Sequence, residues 1–339
     1  MRHLLARCCI LTLAAGFAFA VEAPGFKITA KYPVAGDGGF DYIVLDGASN
    51  RLYVSHGTKV DVLDAGSGTL VGSIDDTPGV HGIAIVSSLH RGFTTNGGEA
   101  TVSVFDTNTF KTLKKISVPK DPDFVFYDAQ TKRVFVCHGD GAAITAIDPE
   151  KEEIAGKIDL GGGAEAALVD GKGTGYVNLE EAATVVSFDP QRLVVKNKWP
   201  ITGCKTPTGL AMDVQSSRLF IGCRSKVLAV MNAKDGKIVS TVPIGDRVDA
   251  VAFDADNRLI FASNGDGTVT VIRQKGPNDY ELIGDIRTEP SAKTMAFDPK
   301  SKRIYLSAAE MESVFSGSVQ RSRMRPKPGT FHVLVVEKQ

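Results

Sequence analysis

A chain of 339 residues with 39 basic and 39 acidic side chains has no net charge with which to grip a nucleic acid along its whole surface. The length admits two domains or one large β architecture, and five cysteines are too few for a disulfide scaffold. The fold therefore rests on burial, which a chain of this size can supply.

In chain order, the first feature is a leader. Arg2 and Arg7 precede an apolar run from Ile10 to Phe19, and Ala18-Phe19-Ala20 supplies the small-x-small pattern of a signal-peptidase site. The run is too short to span a bilayer, and no later stretch is long enough. Residues 1–20 are thus expected to be removed on export to the periplasm or the medium, taking Cys8 and Cys9 with them. The remaining chain, 21–339, is slightly acidic and keeps Cys137, Cys204 and Cys223. An odd count allows at most one internal disulfide; Cys204 with Cys223 is the expected pair, leaving Cys137 free.

Next comes a short strand pattern, Phe26 to Val34, and then a degenerate repeat. Asp41 to Asp46, a turn, and Arg51-Leu-Tyr-Val-Ser-His56 form the first copy. Phe124 to Asp128 with Arg133 to His138, Gly209 to Asp213 with Arg218 to Cys223, Ala250 to Asp254 with Arg258 onward, and Thr294 to Asp298 with Arg303 onward follow the same plan. Weaker copies start at His81 and Glu165. The residue after the turn falls at 51, 91, 133, 174, 218, 258 and 303, a period of 40 to 45 residues. Each unit continues with a third strand (Val60 to Asp64, Val102 to Asp106, Val185 to Asp189) and a fourth (Leu70 to Ile74). Short alternating strands at that period predict an all-β, seven-bladed propeller of four antiparallel strands per blade, forming one domain over 21–339. The last unit lacks a fourth strand of its own, so Phe26 to Val34 is expected to supply it and close the ring.

The Arg-Leu-Tyr-Val strand, the third strands ending Val-Leu-Asp64 and Val-Phe-Asp106, and the closes Leu160-Gly161 and Ile244-Gly245 resemble the YVTN-repeat β-propellers. The last unit, with Pro328 to Val336 after an insertion rich in Pro and Arg, is similar to the YncE-like exported branch. The resemblance spans nearly all of 21–339 and implies fold and export; unit two departs from it at Gly92 and Thr94, unit four at Leu179-Glu180-Glu181. One activity within the YncE-like group, binding of single-stranded DNA, is implied only by that resemblance.

Propeller ligands sit at the axis, and the position opening each innermost strand reads Asp41, His81, Asp123, Glu165, Thr208, Asp249 and Lys293. These are the candidate channel residues. A regular hairpin about the first turn of each unit would set Asp41 opposite His56, His81 opposite Asn96, and Asp123 opposite His138. His56, His81 and His138 would then converge at one mouth, two of them beside a carboxylate, as in a divalent metal site or around a general base. His90 falls at the opposite turn. The second candidate is a long insertion between Ala308 and Thr330, with Glu310 and Glu312 at its start and Arg321, Arg323, Arg325 and Lys327 at its tip, emerging at the same mouth as a flap or an anion-binding finger. No catalytic or phosphate-binding signature is present. The reading is a binding or interaction propeller, expected to be a monomer, presenting an axial funnel to a small molecule or protein. The rivals are a metal-assisted, lactonase-like hydrolase or lyase and a single-stranded-DNA binder.

Overall fold

The computed structural model describes residues 22–315 and 322–339; the leader expected at 1–20 lies outside them, as does Arg321. Seven four-stranded antiparallel sheets follow one another around a ring. Their innermost strands are Ile43–Asp46, Val80–Val86, Pro122–Asp128, Ala164–Val169, Pro207–Asp213, Val248–Asp254 and Met295–Phe297, which number the blades 1 to 7. Within blades 1 to 6 the strands run from axis to rim in chain order.

The repeated residues are explained by turn chemistry. Asp46, Asp128, Asp213, Asp254 and Asp298 each accept the backbone N–H two residues on, at 2.9 to 3.2 Å. This is an Asx turn, which a short acidic side chain makes better than any long one. Asn50, His90, Lys132 and Ser217 take left-handed φ values of 51° to 56°, directly before the Arg that starts the second strand, and Arg258 itself does so directly before Leu259. The Asp and Arg of the repeat are thus structural.

The two middle strands of each blade bury both faces because a sheet lies on either side, while the rim strands stay largely exposed. Seven apolar clusters occupy the seams, one between each adjacent pair of blades, the seventh joining blade 7 to blade 1. Between blades 3 and 4, for example, Phe135 packs against Phe126 at 5.3 Å and Phe188 at 6.2 Å between ring centroids.

The ring closes as the repeat predicts. Phe26–Pro33 is the outer strand of blade 7 and pairs antiparallel with His332–Lys338, from Phe26 opposite Lys338 to Pro33 opposite His332. The seam is tied to blade 1 by hydroxyls: Tyr32 donates to the Gly66 carbonyl at 2.9 Å and Tyr305 to the Ala65 carbonyl at 3.1 Å. Cys204 and Cys223 form a disulfide, with Cα atoms 5.4 Å apart, and Cys137 is free and buried. The insertion in blade 7 is built as a β-hairpin, Met311–Phe315 with Ser322–Pro326.

Deleting residues 26–33 removes the outer strand of blade 7, its edge cover and the Tyr32 tie to blade 1, so the deletion variant is expected to lose its cooperative melt and to aggregate in size-exclusion chromatography. A monomer with an unchanged melting temperature would refute the closure. A chain lacking residues 1–20 should titrate one thiol when denatured without reductant, and Cys204→Ala with Cys223→Ala should lower stability by about 3 kcal/mol, as expected for a loop of this size.

Candidate functional site

What reaches the axis is decided at the head of the inner strand. In blades 2 to 6 the first residue of that strand pairs with the last residue of the second strand: Val80 with Asn96, Pro122 with His138, Ala164 with Leu179, Pro207 with Cys223, Val248 with Asn264. Pairing then resumes one residue out of step, at Ile83 with Thr94 or Val125 with Val136. The extra residue is a β-bulge, which re-aims a side chain out of the sheet. His81, Asp123, Glu165, Thr208 and Asp249 sit in these bulges. Gly82 and Gly209, one residue further, have no room for a side chain: a Cβ would lie 2.6 Å from the Asp123 carbonyl oxygen and 2.7 Å from the Val251 nitrogen of the next blade.

The bulged residues meet across blade boundaries. His81 Nδ1 is 2.7 Å from Asp41 Oδ2 and 3.6 Å from Asp123 Oδ1, so one imidazole bridges carboxylates of the two flanking blades. On the other side of the ring Lys293 pairs with Asp249 and lies 3.9 Å from Asp41. Arg224 pairs with Asp249 at 2.9 Å and with Glu180 at 3.3 Å. Below this mouth the shaft is apolar, a cavity of about 310 Å³ whose wall includes Tyr42, Phe124, Leu210 and Val251. Tyr42 and Phe124 meet edge to face at 5.4 Å.

The charge is unevenly balanced. Burial, with Asp123, Asp249 and Glu180 nearby, pushes the Glu165 carboxyl up to about 9, Arg224 opposing only in part. Burial and the Asp41 charge push Asp123 to about 7, against the pull of His81, and Asp123 Oδ1 is buried with no hydrogen-bond partner. The hydrogen bond that His81 donates to Asp41 raises the imidazole against its desolvation, and burial beside four carboxyls raises the Tyr42 phenol well above its ordinary value. The mouth thus holds protons at neutral pH that ordinary carboxyls would release.

Several expected positions need correction. His56 and His138 do not converge with His81. In blade 3 the bulge shifts the register by one, so His138 turns into its own blade. In blade 1 the inner strand stops at Ile43 opposite Val54, and His56 is taken up by its own blade without a bulge. His56 Nδ1 bonds Asp61 at 2.7 Å and its ring packs on Phe331; His138 bonds the Lys120 carbonyl at 3.2 Å and Thr145 Oγ1 at 2.9 Å. Asn96 likewise bonds Thr101 and Ser103 rather than flanking His81. Thr208 is fully buried and donates to the Val248 carbonyl at 2.8 Å, a tie between blades rather than part of the lining. Glu310 pairs with Lys327 at 2.9 Å at the base of the hairpin, and Glu312 pairs with Arg325 at 2.8 Å, so the finger is less basic than its tip residues suggested.

Arg224, Glu180 and Tyr42 were not anticipated as members of the ring. The first two carried a signal: the residue after the second strand is Gly57, Gly97, Gly139 and Gly265 in four blades, and only Glu180 and Arg224 are charged. Among the described residues, the group able to present three metal-ligating atoms within 4.8 Å of one another is Asp41, His81 and Asp123. One imidazole nitrogen and two carboxylate oxygens suit zinc or manganese.

No family model and no curated protein sequence matches this chain. Among solved structures it is similar to that of U3-55K (TM-score 0.74, 9 % identity, covering 92 % of this chain and 99 % of that one). It is similar also to the RRP9 WD40 repeats (TM-score 0.74, 8 % identity, 94 % and 99 % covered). A third likeness is to a chain of the mitotic checkpoint complex (TM-score 0.73, 14 % identity, 96 % and 100 % covered). At these identities the likeness establishes the propeller fold alone.

A carboxyl raised from its ordinary 4.5 to about 9 keeps its proton in the folded chain where the unfolded chain has lost it. Stability therefore falls as pH rises through that window. Glu165→Gln removes this penalty: its melting temperature should exceed that of the parent at pH 8 and match it near pH 4. A parent and variant that differ equally at both values would show that Glu165 is an ordinary surface acid.

Proposed function

We propose that this chain is an exported binding propeller whose axial mouth takes a divalent cation through Asp41, His81 and Asp123. The observation that carries the reading is the buried Asp123 Oδ1, without a hydrogen-bond partner and 3.6 Å from a ring nitrogen already bonded to Asp41. A cation there would satisfy the orphaned oxygen and replace the protons that the mouth otherwise holds. The export half of the reading is supported by the leader pattern and by the Cys204–Cys223 disulfide, which persists in oxidising compartments. The likeness of the repeat to the YVTN-repeat, YncE-like exported propellers points the same way.

A second reading is favoured by one neighbour. Glu165, whose carboxyl is raised by burial and by Asp123, holds a proton near one of the candidate ligands. A metal-assisted hydrolase or lyase would use it as the general acid, the metal serving as Lewis acid. DNA binding fits poorly with an acidic mouth and with a finger whose Arg325 and Lys327 are already paired.

Untagged protein titrated calorimetrically with zinc or manganese at pH 7.5 should bind one ion per chain. Affinity should weaken as pH falls from 8 to 6, because ligand protons must leave. His81→Ala and Asp123→Asn should each abolish binding, whereas His90→Ala, at the opposite mouth, should retain it. Equal uptake by all variants, or none by the parent, would overturn the proposal. Turnover of a lactone panel by the metal-loaded protein, lost in Glu165→Gln, would select the enzyme. Cell fractionation should recover a periplasmic or secreted chain beginning at Val21.

A further inference from the structure

The hairpin inserted in blade 7 encloses a second site at the same mouth. Met311, Met324 and Pro326 of the hairpin face Phe40, Pro290 and Lys293 of the propeller body, with Arg247 at the edge, around a mostly apolar cavity of about 350 Å³. That volume lies in the range of single small-molecule sites, about 300–1,000 Å³. Met324 is 53 % exposed and so open to a ligand. Two methionines give such a wall an adaptable surface.

The two cations are not equivalent. Lys293 is committed to Asp249 on the axial side. Arg247 has its guanidinium on the Gly265 carbonyl at 2.7 Å and, among the described residues, makes no ion pair. In a mouth dominated by carboxyls, an unneutralised guanidinium beside an apolar pocket selects the sign of what enters. A neutral apolar molecule would leave that charge unmatched, and an amine would be repelled by it. We infer that the pocket beneath the hairpin binds a small amphipathic anion, its apolar body against Met311, Met324, Phe40 and Pro290 and its carboxylate on Arg247. Arginine suits the second task because its planar fork can hold both oxygens of a carboxylate.

Octanoate is the probe, with octanol and octylamine as neutral and cationic counterparts of equal chain length. Calorimetry on the chain lacking residues 1–20, stripped with a chelator, should show octanoate binding at least tenfold tighter than either counterpart. Arg247→Gln should weaken octanoate by tenfold or more and abolish the preference over octanol; Met324→Asp should abolish binding. Both side chains lie at the surface, so neither variant should lower the melting temperature. Spectra of protein labelled at the methionine methyls should show octanoate shifting the resonances of Met311 and Met324, assigned by Met→Leu changes. Octanol binding as tightly as octanoate, an unaffected Arg247→Gln variant, or unmoved methyl resonances would each overturn the inference. Binding of phosphatidylglycerol vesicles without binding of octanoate would overturn it too, making the patch a membrane-facing surface.

Discussion

Five inner strands pair once with their neighbour, skip a residue and pair again, and the chemistry of the mouth depends on that skip. A strand in regular register sends alternate side chains into the seams, where the blades bury them. The extra residue breaks the alternation at the one place where the sheet has no neighbour on its inner side. His81, Asp123, Glu165 and Asp249 are thereby placed where blades meet at the axis, while the residue that would have faced them is returned to its own blade. The same skip makes His138 and Asn96 structural: each closes a short polar network with the third strand, at Thr145 and at Thr101 with Ser103.

This explains what could be read from the residues. The seven units, their turns and the borrowed strand rest on apolar alternation and Asx-turn chemistry, both local, and both leave marks at fixed spacing. The disulfide was legible because two cysteines at one end of one blade had few other partners. The list of axial positions came through with Thr208 as its exception, since it needs only the alignment of repeats. The pairing across each hairpin did not. Counting back from the turn is right for Ile43 opposite Val54 and stays right as far as Val125 opposite Val136, but the bulge lies beyond those residues and carries no composition of its own. Gly82 and Gly209 hint at it by their close approach to the next blade, but a glycine near a strand end has many possible reasons. Arg224 and Glu180 were visible as departures from glycine; their partners were not.

The mouth is also where the structure departs from what favours stability. In the seams apolar side chains find neighbours, and the polar atoms left without a partner there, such as Tyr53 Oη and Ser307 Oγ, belong to uncharged groups. At the axis, Asp123 and Glu165 are withdrawn from water near other carboxyls and keep their protons longer because of it. Hydrophobic replacements of the same volume would serve the fold better. Perturbed groups of this kind gather at functional sites, and here they coincide with an imidazole placed between the carboxylates of the two flanking blades.

Lys293 connects the two halves of that mouth. Its ammonium faces Asp249 and Asp41 in the ring, and its side chain also forms part of the wall beneath the hairpin. With its charge held by Asp249 and near Asp41, Lys293 neutralises part of the acidic ring and leaves only its stem to the pocket side. Arg247 differs because, among the described residues, its guanidinium meets a carbonyl and no carboxylate. One lysine therefore divides the mouth into an acidic half, where a cation would be held, and an apolar half whose unmatched charge is positive.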